Sequence, residues 1–246
     1  MKTTHLSAVA CLAILAANSP AYAGVVLLNE DFESSAVGSH LTSPWTWSVE
    51  TFANNNGAPG NYIGGYYPGN TTSNSIQTVI GNQSGAQGNN ALKVYGDYGF
   101  APNHANDQWV KTNIYQNITL TPANRADGVL GFKFDIAAFA GEGGINSTTI
   151  AYAYFQILSP NYSDTWAREL YSVSNVNTAY QSGQLFFNVS DSGLDGAQLQ
   201  MGFSTLTQNY SASAILVDNL QVVPEPSGVV LSGLGLALLT IRRRRH

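Results

Sequence analysis

Cysteine is all but missing. Cys11 is the sole example, and it sits inside an N-terminal apolar stretch that reads as a cleaved leader. The folded body is therefore expected to lack disulfide staples, thiolate zinc sites and cysteine nucleophiles. Histidine is nearly as scarce, with four in the chain, and no H-E-x-x-H, G-x-S-x-G or lysine-bearing phosphate loop occurs. Basic residues are few as well. Between residues 24 and 223 only Lys93, Lys111, Arg125, Lys133 and Arg168 are basic, against fourteen acids, a charge near −9. That balance argues against nucleic acid or a densely anionic polymer as the main partner. It suits a neutral glycan or calcium. Helix formers are sparse and Glu–Lys pairs are absent, while Gly, Asn, Ser, Thr and Tyr abound. With no cross-link available, a core must hold the body, and residues 24–223 suffice for one sizeable domain.

Both ends depart from this composition. Residues 1–23 read as a secretory signal peptide: Lys2 supplies the n-region charge, Leu6–Ala17 the apolar stretch, and Ala21-Tyr22-Ala23 the cleavage motif. Signal peptidase is then the first partner, and the mature chain starts at Gly24. At the other end, Pro224 and Pro226 flank Glu225 and interrupt regular structure. Residues 228–241 carry no charge, and Arg242, Arg243, Arg244 and Arg245 follow. As a helix these 14 residues span about 21 Å, short of a hydrocarbon core of about 30 Å. Length alone would suit a buried core helix. Four terminal arginines favour a short transmembrane helix whose basic end stays inside.

Pro224-Glu225-Pro226, an apolar segment and an Arg-rich end, in that order, resemble the PEP-CTERM sorting signal. The resemblance covers residues 224–246. It implies export in a Gram-negative bacterium that makes exopolysaccharide, and recognition of the tail by the membrane transpeptidase exosortase. The protein is then expected as an inner-membrane-anchored precursor, later at the cell surface or in the extracellular matrix.

The body reads as strands. Val110–Leu120 and Val129–Ala138 alternate with period two, one face apolar and one polar. Thr148–Leu158 is apolar on both faces, as for a strand inside a sheet. Short candidates occur at 25–28, 31–33, 45–52, 76–80, 91–95, 166–173, 184–189, 199–207 and 214–223, with a long loop expected over 53–75 and Arg125 exposed in a connection. Many short strands without a helix imply an antiparallel all-β sandwich or barrel.

Asn29-Glu30-Asp31-Phe32-Glu33, Asn90-Ala91-Leu92-Lys93-Val94, Tyr115-Gln116-Asn117-Ile118-Thr119-Leu120 and Ile215-Leu216-Val217-Asp218-Asn219-Leu220 occur in this order. The set resembles the jelly-roll β-sandwich of carbohydrate-binding modules and galactose-binding-like domains. That resemblance implies a first strand beside the last, and a structural calcium held by Glu33 and Asp218, with Asp31 as a further ligand. Trp45, Trp47, Tyr62, Tyr66 and Tyr67 are the aromatics that could stack on a sugar face. No catalytic residue is assigned, since the acids stand in ordinary local contexts. Three readings follow: a non-catalytic, surface-sorted protein of the exopolysaccharide or biofilm matrix; alternatively a glycan-binding module; third, a matrix glycan hydrolase.

Overall fold

Period-two sequences bury one face and leave the other free, so they demand a second sheet to cover the apolar side. The computed structural model describes residues 26–41, 43–66, 77–81, 88–96, 108–126, 128–140, 150–173, 178–208 and 213–224. These contain β1 (Leu28–Glu30), β2 (Thr46–Asn55), β3 (Ala58–Tyr66), β4 (Gln77–Gly81), β5 (Asn90–Gly96) and β6 (Trp109–Thr119). They continue with β7 (Val129–Ala138), β8 (Ile150–Leu158), β9 (Thr165–Ser172), β10 (Gln181–Asn188), β11 (Gln198–Gln208) and β12 (Ser213–Pro224). A 3-10 turn at Ser192–Leu194 precedes β11.

Two antiparallel sheets form a sandwich. The first runs β10-β7-β12-β5-β4, with β1 also on β12; the second runs β3-β2-β6-β11-β8-β9. From β5 to β12 the chain switches between sheets as a jelly roll does, and β2, β3 and β4 widen it. The expected neighbourship of first and last strands is present: Leu28 faces Val222 and Glu30 faces Leu220. β8 is paired on both sides, by β11 and β9.

The inner faces interdigitate. Phe132 and Phe134 of the first sheet meet Phe155 and Phe203 of the second, with centroids of Phe132 5.8 Å from Phe155 and 5.7 Å from Phe203. Phe134 meets Phe203 edge-on at 5.4 Å. Such pairs add about 0.5–1.5 kcal/mol each beyond their burial.

Three expectations need correction. The stretch 53–75 is not one loop: β2 runs on to Asn55 and β3 occupies Ala58–Tyr66. Asn56 and Gly57, with φ of 52° and 85°, close the hairpin as a two-residue turn. That geometry matches the right-handed twist of the strands. Nor do residues 31–33 form a strand, because Phe32 has a φ of 57° and turns the chain into the core. Arg125 is buried rather than exposed. Its Nε donates to Asp195 Oδ1 at 2.8 Å, its Nη2 donates to the same oxygen, and its Nη1 donates to the Asp191 carbonyl at 2.8 Å. The β6–β7 connection is thereby clamped to the turn before β11.

The leader with Ala21, Ala23 and Gly24, and the tail with Glu225, Pro226, segment 228–241 and Arg242–Arg245, lie outside the described residues. β12 extends to Pro224, which stands opposite Leu130. Among the described residues no helix is long and apolar enough to cross a membrane.

Candidate glycan-binding face

The outer face of the second sheet is built by one repeated rule. On β6, β8 and β11 the centres of the inward faces are apolar, with Ile114, with Ala153, Phe155 and Ile157, and with Leu199, Met201 and Phe203, while Thr112, Gln116, Thr205 and Thr207 occupy other inward positions. The alternate positions are tyrosine, amide or hydroxyl residues, and strand register sets them side by side. Ser48, Asn113, Ser204 and Tyr152 form one row. Thr46, Tyr115, Gly202, Tyr154 and Leu170 form the next. Asn117, Gln200, Gln156 and Arg168 form the third. Glu50 and Lys111 flank the first row.

Gly202 fixes the floor of the middle row. A Cβ there would overlap the Ile114 carbonyl and lie 2.8 Å from Tyr115 Cβ and 2.9 Å from Tyr154 Oη. Only a residue without a side chain lets the two tyrosines approach from adjacent strands. Tyr152 joins them, its ring centroid 6.2 Å from that of Tyr154. The resulting depression encloses about 190 Å³ and is lined almost wholly by polar residues and tyrosines.

Two hydrogen-bond relays run along its sides. On one, Lys111 Nζ donates to Glu50 Oε2 at 3.2 Å. Asn113 Nδ2 donates to Glu50 Oε1 and to Ser48 Oγ at 3.1 Å each, while Ser204 Oγ donates to Asn113 Oδ1. On the other, Arg168 Nε donates to Gln156 Oε1 at 2.6 Å. Gln156 Nε2 donates to Gln200 Oε1 at 2.6 Å, and Gln200 Nε2 donates to Asn117 Oδ1 at 3.0 Å. Each relay fixes which side-chain atoms remain for a ligand, and so preorganises the face. Burial holds the Tyr154 phenol well above its ordinary pKa, with Tyr115, Tyr152 and Glu50 adding to the effect against Arg168.

The aromatics expected from sequence divide. Trp45 and Trp47 are 6% and 7% exposed and pack in the core, so they are not presented on a surface. The cause is parity: Trp47 alternates with Ser48, and Ser48 is the residue that faces the depression. Tyr62 is 61% exposed and meets Phe52 edge-on at 5.9 Å. It stands opposite Phe52, two positions beyond Glu50, at the β3 border of the same face. Tyr66 holds the β3 position opposite Val49, and Tyr67 lies outside the described residues.

The expected calcium ligands are placed apart in their contacts. Glu33 Oε1 accepts the backbone N–H groups of Asn89 and Asn90 at 2.7 and 2.9 Å, and Oε2 accepts Asn89 Nδ2 at 3.3 Å. The amide of Asn90 above all holds its carboxyl below the usual glutamate value. Asp31 Oδ1 accepts the Glu33 N–H at 3.2 Å. Asp218 is buried opposite Asp135 of β7 and accepts the Asn219 N–H at 2.7 Å. Among the described residues no three His, Asp or Glu side chains gather as a metal-binding group.

No known protein family matches the chain by sequence, and no curated protein does. Several solved structures resemble it at low similarity. One is a carbohydrate-binding module studied for the promiscuous specificity of its β-sandwich superfamily: 13% identity, TM-score 0.43, covering 79% of this chain and 60% of that one. Another is the CBM22-1 xylan-binding domain of Xyn10C from Paenibacillus barcinonensis: 15% identity, TM-score 0.41, covering 83% and 97%. A third is the Stig cyclase Fisc from Fischerella sp. TAU: 15% identity, TM-score 0.43, covering 81% and 98%. Likeness this distant assigns no function, and binding modules and a cyclase stand at the same distance.

Sequence reading missed most of this face. Lys111, Asn113, Tyr115 and Asn117 do stand out as the polar side of β6. The signal in β8 was overlooked, since Tyr152, Tyr154 and Gln156 alternate with Ala151, Ala153, Phe155 and Ile157. Only the register shows that the polar sides of β2, β6, β11 and β8 adjoin.

Proposed function

We propose that this protein is an exported, non-catalytic glycan-binding protein, and that the outer face of its second sheet is the binding site. The observation that supports this most is the three-row arrangement: Tyr115, Tyr152 and Tyr154 gathered where Gly202 leaves room for them, bordered on both sides by ordered amide and hydroxyl relays. A sugar ring has an apolar C–H face and a rim of hydroxyl groups. Tyrosine rings meet the former, and amide and hydroxyl groups that both donate and accept meet the latter. Hydrolysis of a glycoside would ordinarily need two carboxyl groups flanking the bond. Glu50 is the one carboxylate among the described lining residues, and Lys111 pairs with it.

Affinity electrophoresis of the full-length chain against a set of soluble polysaccharides tests the reading. Retardation by at least one polymer is expected, and Tyr115→Ala should weaken it about tenfold or more, some 1.4 kcal/mol. Unchanged retardation in Tyr115→Ala and in Tyr154→Ala would put the site elsewhere.

The terminal segments support export and sorting as the setting of this activity. In a host with exosortase, the tail beyond Pro224-Glu225-Pro226 is expected to be removed. The variant with all three residues changed to Ala should stay full-length in the membrane, as intact mass and fractionation would show. A wild-type chain that keeps Arg242–Arg245 and fractionates like the variant would make the tail a plain anchor.

A further inference from the structure

The charge of the binding face differs from that of the body around it. Five bases and fourteen acids lie between residues 24 and 223. Two of those bases, Lys111 and Arg168, line the depression, with the single acid Glu50. Of the other described bases, Lys133 lies on β7 of the first sheet, and Arg125 and Lys93 are engaged away from the depression. Arg125 is bound to Asp195, and Lys93 Nζ lies 5.3 Å and 5.2 Å from the ring centroids of Tyr95 and Phe139. Within the depression Lys111 is neutralised by Glu50 at 3.2 Å. Arg168 is not: among the described residues no carboxylate lies within ion-pair distance of it.

The Arg168 hydrogen bond gives that charge a shape. Its Nε is engaged by Gln156 Oε1 at 2.6 Å, and Gln156 is held in turn by Gln200. The guanidinium plane is thus oriented by a relay, and its two terminal nitrogens remain as a fork at the end of the third row. Such a fork matches the two oxygens of a carboxylate. Apart from the Lys111–Glu50 pair, the other groups of the face are neutral phenols, amides and hydroxyls, suited to uncharged sugars. Around it the body carries a charge near −9, which repels a densely charged polyanion at long range.

Resting on the glycan-binding reading above, we infer that the ligand is a glycan carrying isolated uronic-acid residues among neutral sugars, with one carboxylate seated on Arg168 and the neutral neighbours over the half-buried rings of Tyr115 and Tyr152. The face selects against both extremes. A fully neutral glycan leaves the fork unmet, and a polymer charged on every sugar meets one cation and an acidic surround.

The test uses polysaccharides with sparse uronate, glucuronoxylan and gellan, each in native form and after carbodiimide–borohydride reduction of its carboxylates. Dextran sulfate serves as the dense, sulfated comparison. Binding of the full-length chain is read by calorimetry or affinity electrophoresis. The wild type is expected to bind at least one native polymer about tenfold more tightly than its reduced form, and more tightly than dextran sulfate. Arg168→Gln should erase the ratio between native and reduced polymer, whatever its effect on binding of both; in Arg168→Lys, with charge but no fork, the ratio should fall between. Equal wild-type binding to native and reduced polymers, or discrimination that persists in Arg168→Gln, overturns the acidic-sugar inference and leaves the glycan reading standing. A preference for dextran sulfate overturns the carboxylate assignment. No binding to any form removes both readings.

Discussion

Glu33, a calcium ligand by the jelly-roll resemblance, has backbone contacts that make it an anchor. Three N–H groups of Asn89 and Asn90 converge on its carboxylate and tie the segment after β1 to the start of β5. Because the amides lower its folded pKa below the ordinary 4.5, its contribution to stability is complete above that value. It is lost as the pH falls through the lowered folded value. Glu33→Gln should therefore be less stable than the wild type at pH 7, with the gap narrowing as the pH falls below 4.5, as urea unfolding along a pH series would show. A constant gap would mean that the carboxylate is not held by those amides. Gly202 is the counterpart on the binding face, where the missing side chain is itself the structural feature.

Strands carry the next lesson. Parity decides whether a residue of β2 serves the core or the face, and Trp47 and Ser48 are adjacent in sequence but belong to opposite sides of the sheet. Trp47→Ala is expected to cost about 3–5 kcal/mol of folding stability, the usual range for a buried tryptophan. Its glycan affinity per folded molecule should stay at the wild-type value. Thermal unfolding combined with active-fraction-corrected titration checks both. An affinity loss with little loss of stability would return Trp47 to the surface. The alternation of β6 and β7, and the pairing of first and last strands, were legible because each rests on local pattern or on end motifs. β3 was not, since Ala58-Pro59-Gly60-Asn61-Tyr62-Ile63-Gly64-Gly65-Tyr66 is an edge strand with little apolar content. The Asn56-Gly57 pair was its signal, a turn dipeptide without flanking apolar alternation.

At the scale of the molecule, the jelly roll spends its inner faces on a single aromatic-rich core. The outer face of one sheet is left to carry tyrosines, amides and an oriented guanidinium. That face was illegible as a unit in the sequence because its residues run from Ser48 to Ser204, on strands far apart in the chain, and no local period links them. The composition pointed correctly to a body short of positive charge. It did not show that two of the five bases would be gathered at one depression, which is a property of register. An acidic body with a locally basic, polar face fits the proposed mixture of neutral and acidic sugars.

The central claim is that sugar binds on the outer face of the second sheet. The most direct measurement is amide chemical-shift mapping of the protein with an oligosaccharide cut from the polymer it retains. Shifts are expected at Asn113, Tyr115, Tyr152, Tyr154, Gln156, Arg168, Gln200 and Gly202, with β7, β10 and β12 silent. Shifts confined to the first sheet or to the segment around His40 and Trp45, with this face silent, would contradict the account.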